Sequence, residues 1–132
     1  GDPAVSEFFH AVETAANTLA CRDRLAPRTR AGTPAEAAAL IRGLPRDTRT
    51  ALLVPEDHVA VRLHTLLAQS DIACPDTVGL LAVMGTAVSA QTGLSRIGFD
   101  FHAMGRAAIS LLTDTKPRSL AFPPLLQHGT TT

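Results

Sequence analysis

The sequence predicts an α/β fold with a mainly parallel sheet flanked by helices. The chain has 132 residues, of which 45% are apolar and 18% charged, so one domain with a buried core can form. Short continuous apolar segments alternate with longer segments whose apolar residues recur at helical spacing. This alternation is typical of strands joined by helical crossovers, which produce a parallel sheet.

The first thirty residues predict one helix and one short strand. Apolar side chains recur at helical spacing from Ala4 to Leu19, and Pro3 before them suits the first turn of a helix. Leu25 to Arg30 is a candidate strand, and Pro27 places it at a sheet edge because proline cannot donate to a neighbouring strand. We therefore expect the chain to open on a helix, where such folds normally have a strand.

A helix, a strand and a second helix are predicted in the middle of the chain. Thr33 and Glu36 have the spacing of a capping box, and the helix that they begin is expected to end at Gly43. Thr50 to Val54 is a short apolar segment closed by a proline, which favours a buried strand. Glu56 to Gln69 forms the next predicted helix. Its apolar face consists of Val59, Leu63, Leu66 and Leu67.

The remaining part of the chain predicts further strands and one helix. Val78 to Val83 is a second buried strand, and Leu94 to Phe99 is a third candidate. Asp100 is a candidate cap for a helix over Phe101 to Leu112. The apolar face of this helix consists of Met104, Ala107, Ala108, Leu111 and Leu112. The last candidate strands are Leu120 to Phe122 and Leu125 to Leu126.

Composition and spacing exclude several classes of function. Lys and Arg together number 12, as do Asp and Glu, so the chain lacks the overall basic charge of a nucleic-acid surface. The longest apolar run, Val78 to Met84, is too short to span a bilayer, and no secretory signal pattern opens the chain. The histidines lack metal-ligand spacing, and neither G-x-S-x-G nor a glycine-rich phosphate loop occurs. We therefore expect no enzyme activity, no catalytic residue, no metal and no cofactor.

Two adjacent carboxylates, Glu56 and Asp57, follow the first predicted strand and open a helix. In open α/β sheets ligands bind at the carboxyl ends of the strands, so a site is expected here. Adjacent side chains point in different directions, so the pair is not a general acid and base by spacing alone. Two interpretations stay open: contact with a ligand, or stabilisation of the positive end of the helix by capping and charge.

Several segments of the second half stand in the order and spacing of a known series of motifs. The segments are Thr50–Val54, Glu56–Ala60, Asp71–Asp76, Leu94–Ile97, Phe101–Ala108 and Pro123–Thr131. They resemble the C-terminal part of the effector-binding domain of the lactose/galactose-repressor (LacI/GalR) transcription factors. The family motifs are an apolar strand, N-D-x-x-A, G-I-x-V-P-x-D, L-T-T-V/I, F-x-x-M-G-R-x-A and P-P-x-L-v-x-R-x-S/T-T.

The resemblance implies a fold, a function and a location. Residues 1–132 would form the C-terminal subdomain of an effector-binding domain, one lobe of a periplasmic-binding-protein-like (type I) clamp. Whole family members also carry an N-terminal lobe and a helix-turn-helix head, both absent from this sequence, and operator DNA would be bound only through that head. The implied function is effector sensing and dimerisation in a cytoplasmic transcriptional regulator, with no membrane contact.

The resemblance also implies which residues bind the effector. Family members hold sugar or nucleoside effectors with an Arg on the first helix, the Asn and Asp of N-D-x-x-A, and an Asp after the second strand. The corresponding positions here are Phe8, Glu56, Asp57 and Met84, and only the Asp57 carboxylate matches the family. Apolar side chains cannot replace the lost donors and acceptors. The expected effector is therefore sugar-like or less polar than a sugar, unless this lobe no longer senses one.

A homodimer is implied as well, because the C-terminal lobe carries much of the dimer interface in this family. The apolar face from Val59 to Leu67 and the region 78–99 are the candidate surfaces. An alternative on the same clamp fold is an extracytoplasmic solute-binding protein of an uptake system. That protein would need a signal peptide and a transporter partner, whereas the F-x-x-M-G-R-x-A and L-S-x-I motifs favour the regulator.

Overall fold

The structure of the chain is a computed structural model that describes residues 3–83, 86–116 and 118–132. The chain divides into two units, residues 1–30 and residues 31–132. The first unit contains helix α1 (Pro3–Thr18) and a short 3-10 helix (Arg22–Arg24). The second unit contains the sheet and the other helices.

Helix α1 confirms the helix predicted at the start of the chain. The strand predicted over residues 25–30 is wrong, because these residues have no regular structure. Pro27 lacks a backbone N–H, and the described part of the first unit holds no strand with which the segment could pair. The Arg28 guanidinium lies over the ring of Phe9 instead, with its carbon 4.3 Å from the ring centroid.

Helix α2 (Pro34–Gly43) begins with the predicted capping box and ends where predicted. The Thr33 hydroxyl oxygen accepts a hydrogen bond from the Glu36 N–H at 3.2 Å, and the Glu36 carboxylate accepts one from the Thr33 N–H at 3.0 Å. Both N–H groups lie at the helix start, where no helical carbonyl is available to them. The reciprocal pair therefore stabilises the first turn.

The four-stranded sheet has the order β1-β2-β3-β4. Its strands are β1 (Thr50–Val54), β2 (Val78–Val83), β3 (Ser95–Gly98) and β4 (Leu125–Gln127). The first three are parallel, and β4 runs antiparallel to β3. This arrangement confirms the predicted α/β class. The strand predicted over Leu120 to Phe122 is wrong: the two prolines that follow it cannot donate to a ladder, and pairing begins only after them.

The core lies on the face of the sheet that α2 and α3 (Asp57–Gln69) cover. The apolar face of α3 faces inward as predicted, and Leu63 and Leu67 have 1% and 0% of their surface exposed. This burial removes the Val59 to Leu67 face as a dimer surface, because the core already occupies it. Strand β2 is buried too, whereas the described residues 86–92 of the candidate region 78–99 are exposed except Ser89.

Strand β1 is less buried than its apolar sequence predicts. Its side chains alternate between half-buried or buried and exposed, and Leu53 keeps 41% of its surface accessible. The reason is that successive side chains point to opposite faces: Leu52 and Val54 pack with the core, whereas Ala51 and Leu53 are on the other face, which lines an open groove. A continuous apolar run therefore indicates a strand here, but not burial on both faces.

Two further helices follow the later strands. Helix α4 (Ala87–Gln91) was not predicted, since its five residues are too few to show helical periodicity. Helix α5 (Phe101–Thr113) was predicted, and the Asp100 carboxylate accepts a hydrogen bond from the Ala103 N–H at 2.9 Å. None of its described residues is fully buried, so the predicted apolar face is only partly correct: Leu112 is 82% exposed.

The C-terminal residues are hydrogen-bonded to the sheet, in part through the buried hydroxyl of Thr131. The Thr131 hydroxyl donates to the Leu80 carbonyl at 2.7 Å and accepts from the Ser95 N–H at 2.8 Å. The Leu80 N–H donates to the Thr131 carbonyl at 2.7 Å. Because Thr131 and Ser95 are 1% and 0% exposed, these bonds satisfy backbone groups that water cannot reach.

Candidate functional site

The three parallel strands bring polar residues together at their carboxyl ends. Asp57 follows β1, Thr86 and Ser89 follow β2, and Arg96 lies on β3. We call these four residues the Thr86 cluster, because each of the other three is hydrogen-bonded to Thr86. Ligands of open α/β sheets bind at this edge, so the cluster lies where a site is expected.

Hydrogen bonds between Asp57 and Thr86 connect the segment that follows β1 to the segment that follows β2. One of its carboxylate oxygens, Oδ2, accepts a hydrogen bond from the Thr86 N–H at 3.2 Å and a very short one from the Thr86 hydroxyl. The same hydroxyl oxygen accepts from the Val88 N–H at 3.2 Å, so Thr86 also caps helix α4. A hydroxyl that accepts while it donates to a carboxylate is polarised in both directions, and this strengthens each bond.

The carbonyl group of Thr86 is held from the other side. The Arg96 guanidinium donates to it through Nη1 at 2.5 Å, and the buried Ser89 hydroxyl donates to it at 2.9 Å. The N–H, the hydroxyl and the carbonyl of Thr86 are therefore all hydrogen-bonded, to groups at the start of α3, in α4 and on β3. A residue held in this way has little freedom to move relative to the sheet.

The other carboxylate oxygen of Asp57 and the guanidinium of Arg96 have few or no partners of their own. Asp57 Oδ1 has no exposed surface and no hydrogen-bond partner. Arg96 is half-buried, and no carboxylate among the described residues lies within ion-pair distance of it. The cluster therefore holds a guanidinium whose charge no acidic side chain of the described chain neutralises directly.

The surroundings of Asp57 favour its charged form. Partial burial raises the pKa of the carboxyl, but the polar groups of Thr86 and Ser89 outweigh this effect and lower the pKa below its ordinary value of 3.8. Asp57 is therefore an anion throughout the neutral range.

The structure describes three of the four predicted effector-binding residues, of which Glu56 and Asp57 lie in the second unit and Phe8 in the first. Glu56 is exposed, and its carboxylate lies 3.4 Å from His58 Nε2. Glu56 is the N-cap residue of α3 but makes no side-chain capping bond, so that part of the interpretation is wrong, whereas Asp57 places an acidic side chain in the first turn as predicted. Phe8 lies on α1 in the first unit, where its ring meets that of Phe9 edge-on at 5.3 Å. Met84 lies outside the described residues. Their roles in a site stay predictions.

Sequence reasoning missed Arg96, Thr86 and Ser89. Arg96 carried a usable signal, because it stands where the L-T-T-V/I motif of the resembling family has a Thr. A charged side chain on a strand that lies beside a buried strand needs polar partners or water. The carboxyl end of the sheet is the nearest place that supplies them. Thr86 and Ser89 carried no such signal, since their roles depend on the unpredicted helix α4.

A second concave feature lies away from this edge. An open groove of about 380 Å³ runs over the face of β1 and β2 opposite the core. Its lining is Arg49, Thr50, Ala51, Leu52, Leu53, Gly79, Leu80, Leu81 and Thr132. Apart from Arg49, Thr50 and Thr132 the lining is apolar and supplies few of the directed hydrogen bonds that fix a small ligand, so the Thr86 cluster is the candidate site.

The described residues contain neither a metal-ligating group nor a membrane-spanning helix. Neither 3–83, 86–116 nor 118–132 contributes a group of three metal-ligating side chains. The helices that the structure describes also include none with the length and apolar character needed to cross a bilayer.

The fold is a mostly parallel sheet flanked by helices, with the polar Thr86 cluster at its carboxyl edge. Residues 2–124 match the family model of the periplasmic binding protein-like domain, and the chain belongs to this family. Domains of this type bind small-molecule ligands. The comparisons with curated proteins and with solved structures found no match.

Proposed function

We propose that residues 1–132 are the C-terminal subdomain of the effector-binding domain of a LacI/GalR-type transcriptional regulator, which senses a small molecule and dimerises. The observation that carries the proposal is the series of motifs between Thr50 and Thr131 in a chain whose domain family is established. The Thr86 cluster supports the sensing role, because it places a carboxylate and a guanidinium where the lobe would meet its ligand.

The proposed mechanism is a shift between two states of a two-lobed clamp. A small-molecule effector held at the carboxyl edge would favour the closed state, and a homodimer would pass this bias to two DNA-binding heads on operator DNA. Exposed apolar side chains on α5 and β4 support an association surface in place of the buried face of α3. They are Phe101, Ile109, Leu112, Leu125 and Leu126.

The experiment that tests the regulator proposal reads the coding sequence upstream of Gly1. A helix-turn-helix segment ahead of an N-terminal lobe is the expected result. A signal peptide with an apolar central region would overturn the proposal and favour an extracytoplasmic solute-binding protein instead. The cytoplasmic location stands or falls with the same result.

A substitution in the intact protein tests the sensing role. Asp57→Ala is expected to abolish the effector response in an operator-binding assay while the dimer remains intact. The reason is that Asp57 holds Thr86, and its loss releases the loop that borders the site. Exposed Asp76→Ala is the matched control. An unchanged response in the Asp57 variant would contradict the role assigned to the site.

A further inference from the structure

We propose that Arg96 is the charged ligand contact of this lobe, and that the ligand carries an anionic group, a carboxylate or a phosphate. The proposal rests on the proposed ligand-binding function and narrows the chemical class of the ligand. It differs from the sugar-like or less polar effector expected from Phe8, Glu56, Asp57 and Met84, because Arg96 adds a positive charge to the edge.

The first argument is the position of Arg96. It lies on β3 opposite Ala82 of β2, and its guanidinium reaches the carbonyl of Thr86 beyond the end of β2. The charged end of the side chain is therefore at the carboxyl edge of the sheet, although its backbone is inside it. This is the edge at which ligands of open α/β sheets bind.

The second argument is the unused bonding capacity of the guanidinium. It carries five N–H donors in a planar fork, and one contact, from Nη1 to Thr86, is formed. Carboxylate and phosphate oxygens match the spacing of two parallel donors of such a fork, so they bind it in bidentate fashion. A neutral hydroxyl group offers neither the charge nor the paired acceptors.

The third argument is the commitment of the nearby carboxylates elsewhere. Asp57 directs Oδ2 at Thr86, Glu56 approaches His58, and Asp100 caps α5. None of them forms an ion pair with Arg96. No carboxylate of the described residues therefore neutralises the guanidinium, and this favours an anionic group on the ligand.

Matched pairs of neutral and anionic probes test the proposal. We would titrate the isotope-labelled chain with ribose and ribose 5-phosphate, and with glucose and glucuronate, and follow the Thr86 amide and the Arg96 Nε–H by NMR. Each anionic probe is expected to bind about tenfold more tightly than its neutral partner, because a hydrogen bond to a charged group contributes about 1.5 kcal/mol or more. Both signals should shift with one binding curve.

Three variants identify Arg96 as the source of the preference. Arg96→Gln keeps an N–H donor for the Thr86 carbonyl but removes the charge, so the anionic and neutral probes should bind alike. Arg96→Lys keeps the charge without the planar fork, and an intermediate preference is expected. Exposed Arg46→Gln should keep the full preference. The wild-type comparison remains decisive if Arg96→Gln does not fold.

Two kinds of failure are distinguishable. Equal binding of neutral and anionic probes at Thr86, or an anion preference that survives in Arg96→Gln, would overturn the role of Arg96 and leave the ligand-binding function standing. A chain that binds no probe of either pair would overturn both the role of Arg96 and the ligand-binding function proposed for this edge.

Discussion

Asp57 Oδ2 accepts hydrogen bonds from both the N–H and the hydroxyl of Thr86, 29 residues later in the chain. The pair joins the start of α3 to the start of α4 across the carboxyl edge of the sheet. One carboxylate thereby holds two strand-to-helix segments in a fixed relation. The surface that would meet a ligand depends on this relation, since Thr86 also receives the guanidinium of Arg96.

Replacing Asp57 should change how stability depends on pH. The pKa of its carboxyl is lower in the folded chain than its ordinary value of 3.8. The ionised carboxylate therefore contributes fully to the free energy of unfolding above about pH 3.8. This contribution is lost as the pH falls through the lower pKa that the carboxyl has in the folded chain. We expect Asp57→Asn to lower the free energy of unfolding at pH 7 by about 1 kcal/mol, and the difference to shrink below pH 4.

Urea unfolding of both proteins between pH 3 and pH 7 measures this dependence. Exposed Asp76→Asn serves as the control and should follow the wild-type curve. A difference between wild type and Asp57→Asn that stays constant down to pH 3 would show that the Asp57 carboxylate has no special bond to Thr86.

Loss of the Thr131 hydroxyl should lower the stability of the fold even when the volume of the side chain is kept. Thr131→Val keeps the shape but leaves the Ser95 N–H and the Leu80 carbonyl without their buried partner. We expect the free energy of unfolding to fall by about 2 to 4 kcal/mol, because each unsatisfied buried group costs about 1 to 3 kcal/mol. Thr130→Val is the matched control, since Thr130 is exposed, and its loss should stay below about 1 kcal/mol. Equal losses in the two variants would contradict the account of the C-terminal residues.

Two glycine-to-alanine substitutions should have opposite effects. A Cβ atom at Gly129 would lie 2.1 Å from the backbone oxygen of Gly93, so the neighbouring strand ends must separate. We expect Gly129→Ala to lower the free energy of unfolding by about 2 kcal/mol or more. A Cβ atom at Gly105 meets nothing within 4 Å, and alanine in the middle of α5 should add about 0.5 to 1 kcal/mol. Thermal unfolding compares the pair directly, and a stabilised Gly129→Ala variant would refute the close approach.

The elements with strong local patterns were predictable from the sequence. The capping box at Thr33, the apolar run of β2 and the periodic face of α3 each specify a structure through neighbours in the chain, and each is present. Helix α4 and the partial burial of β1 depend on the arrangement of the sheet instead. Local patterns contain no information about such long-range placement.

The position of the candidate site could be predicted from the sequence, but the residues that surround Asp57 there could not. Asp57 was identified because a carboxylate after a buried strand lies at the carboxyl edge. Its partner Thr86 was not, because the bond between them joins residues whose proximity only the sheet order creates. Arg96 was missed for a related reason: its Cα atom lies in β3, but its guanidinium reaches Thr86 beyond the end of β2.

The most direct test of the central claim locates a bound ligand on this lobe. We would titrate the labelled chain with a panel of neutral sugars, nucleosides and their phosphate esters, and map the amide shifts of every probe that binds. The account predicts shifts concentrated at residues 55–58, 86–89 and 96–100, around the Thr86 cluster. Shifts confined to the apolar groove of β1 and β2, at residues 49–53 and 79–81, would contradict the assignment of the site.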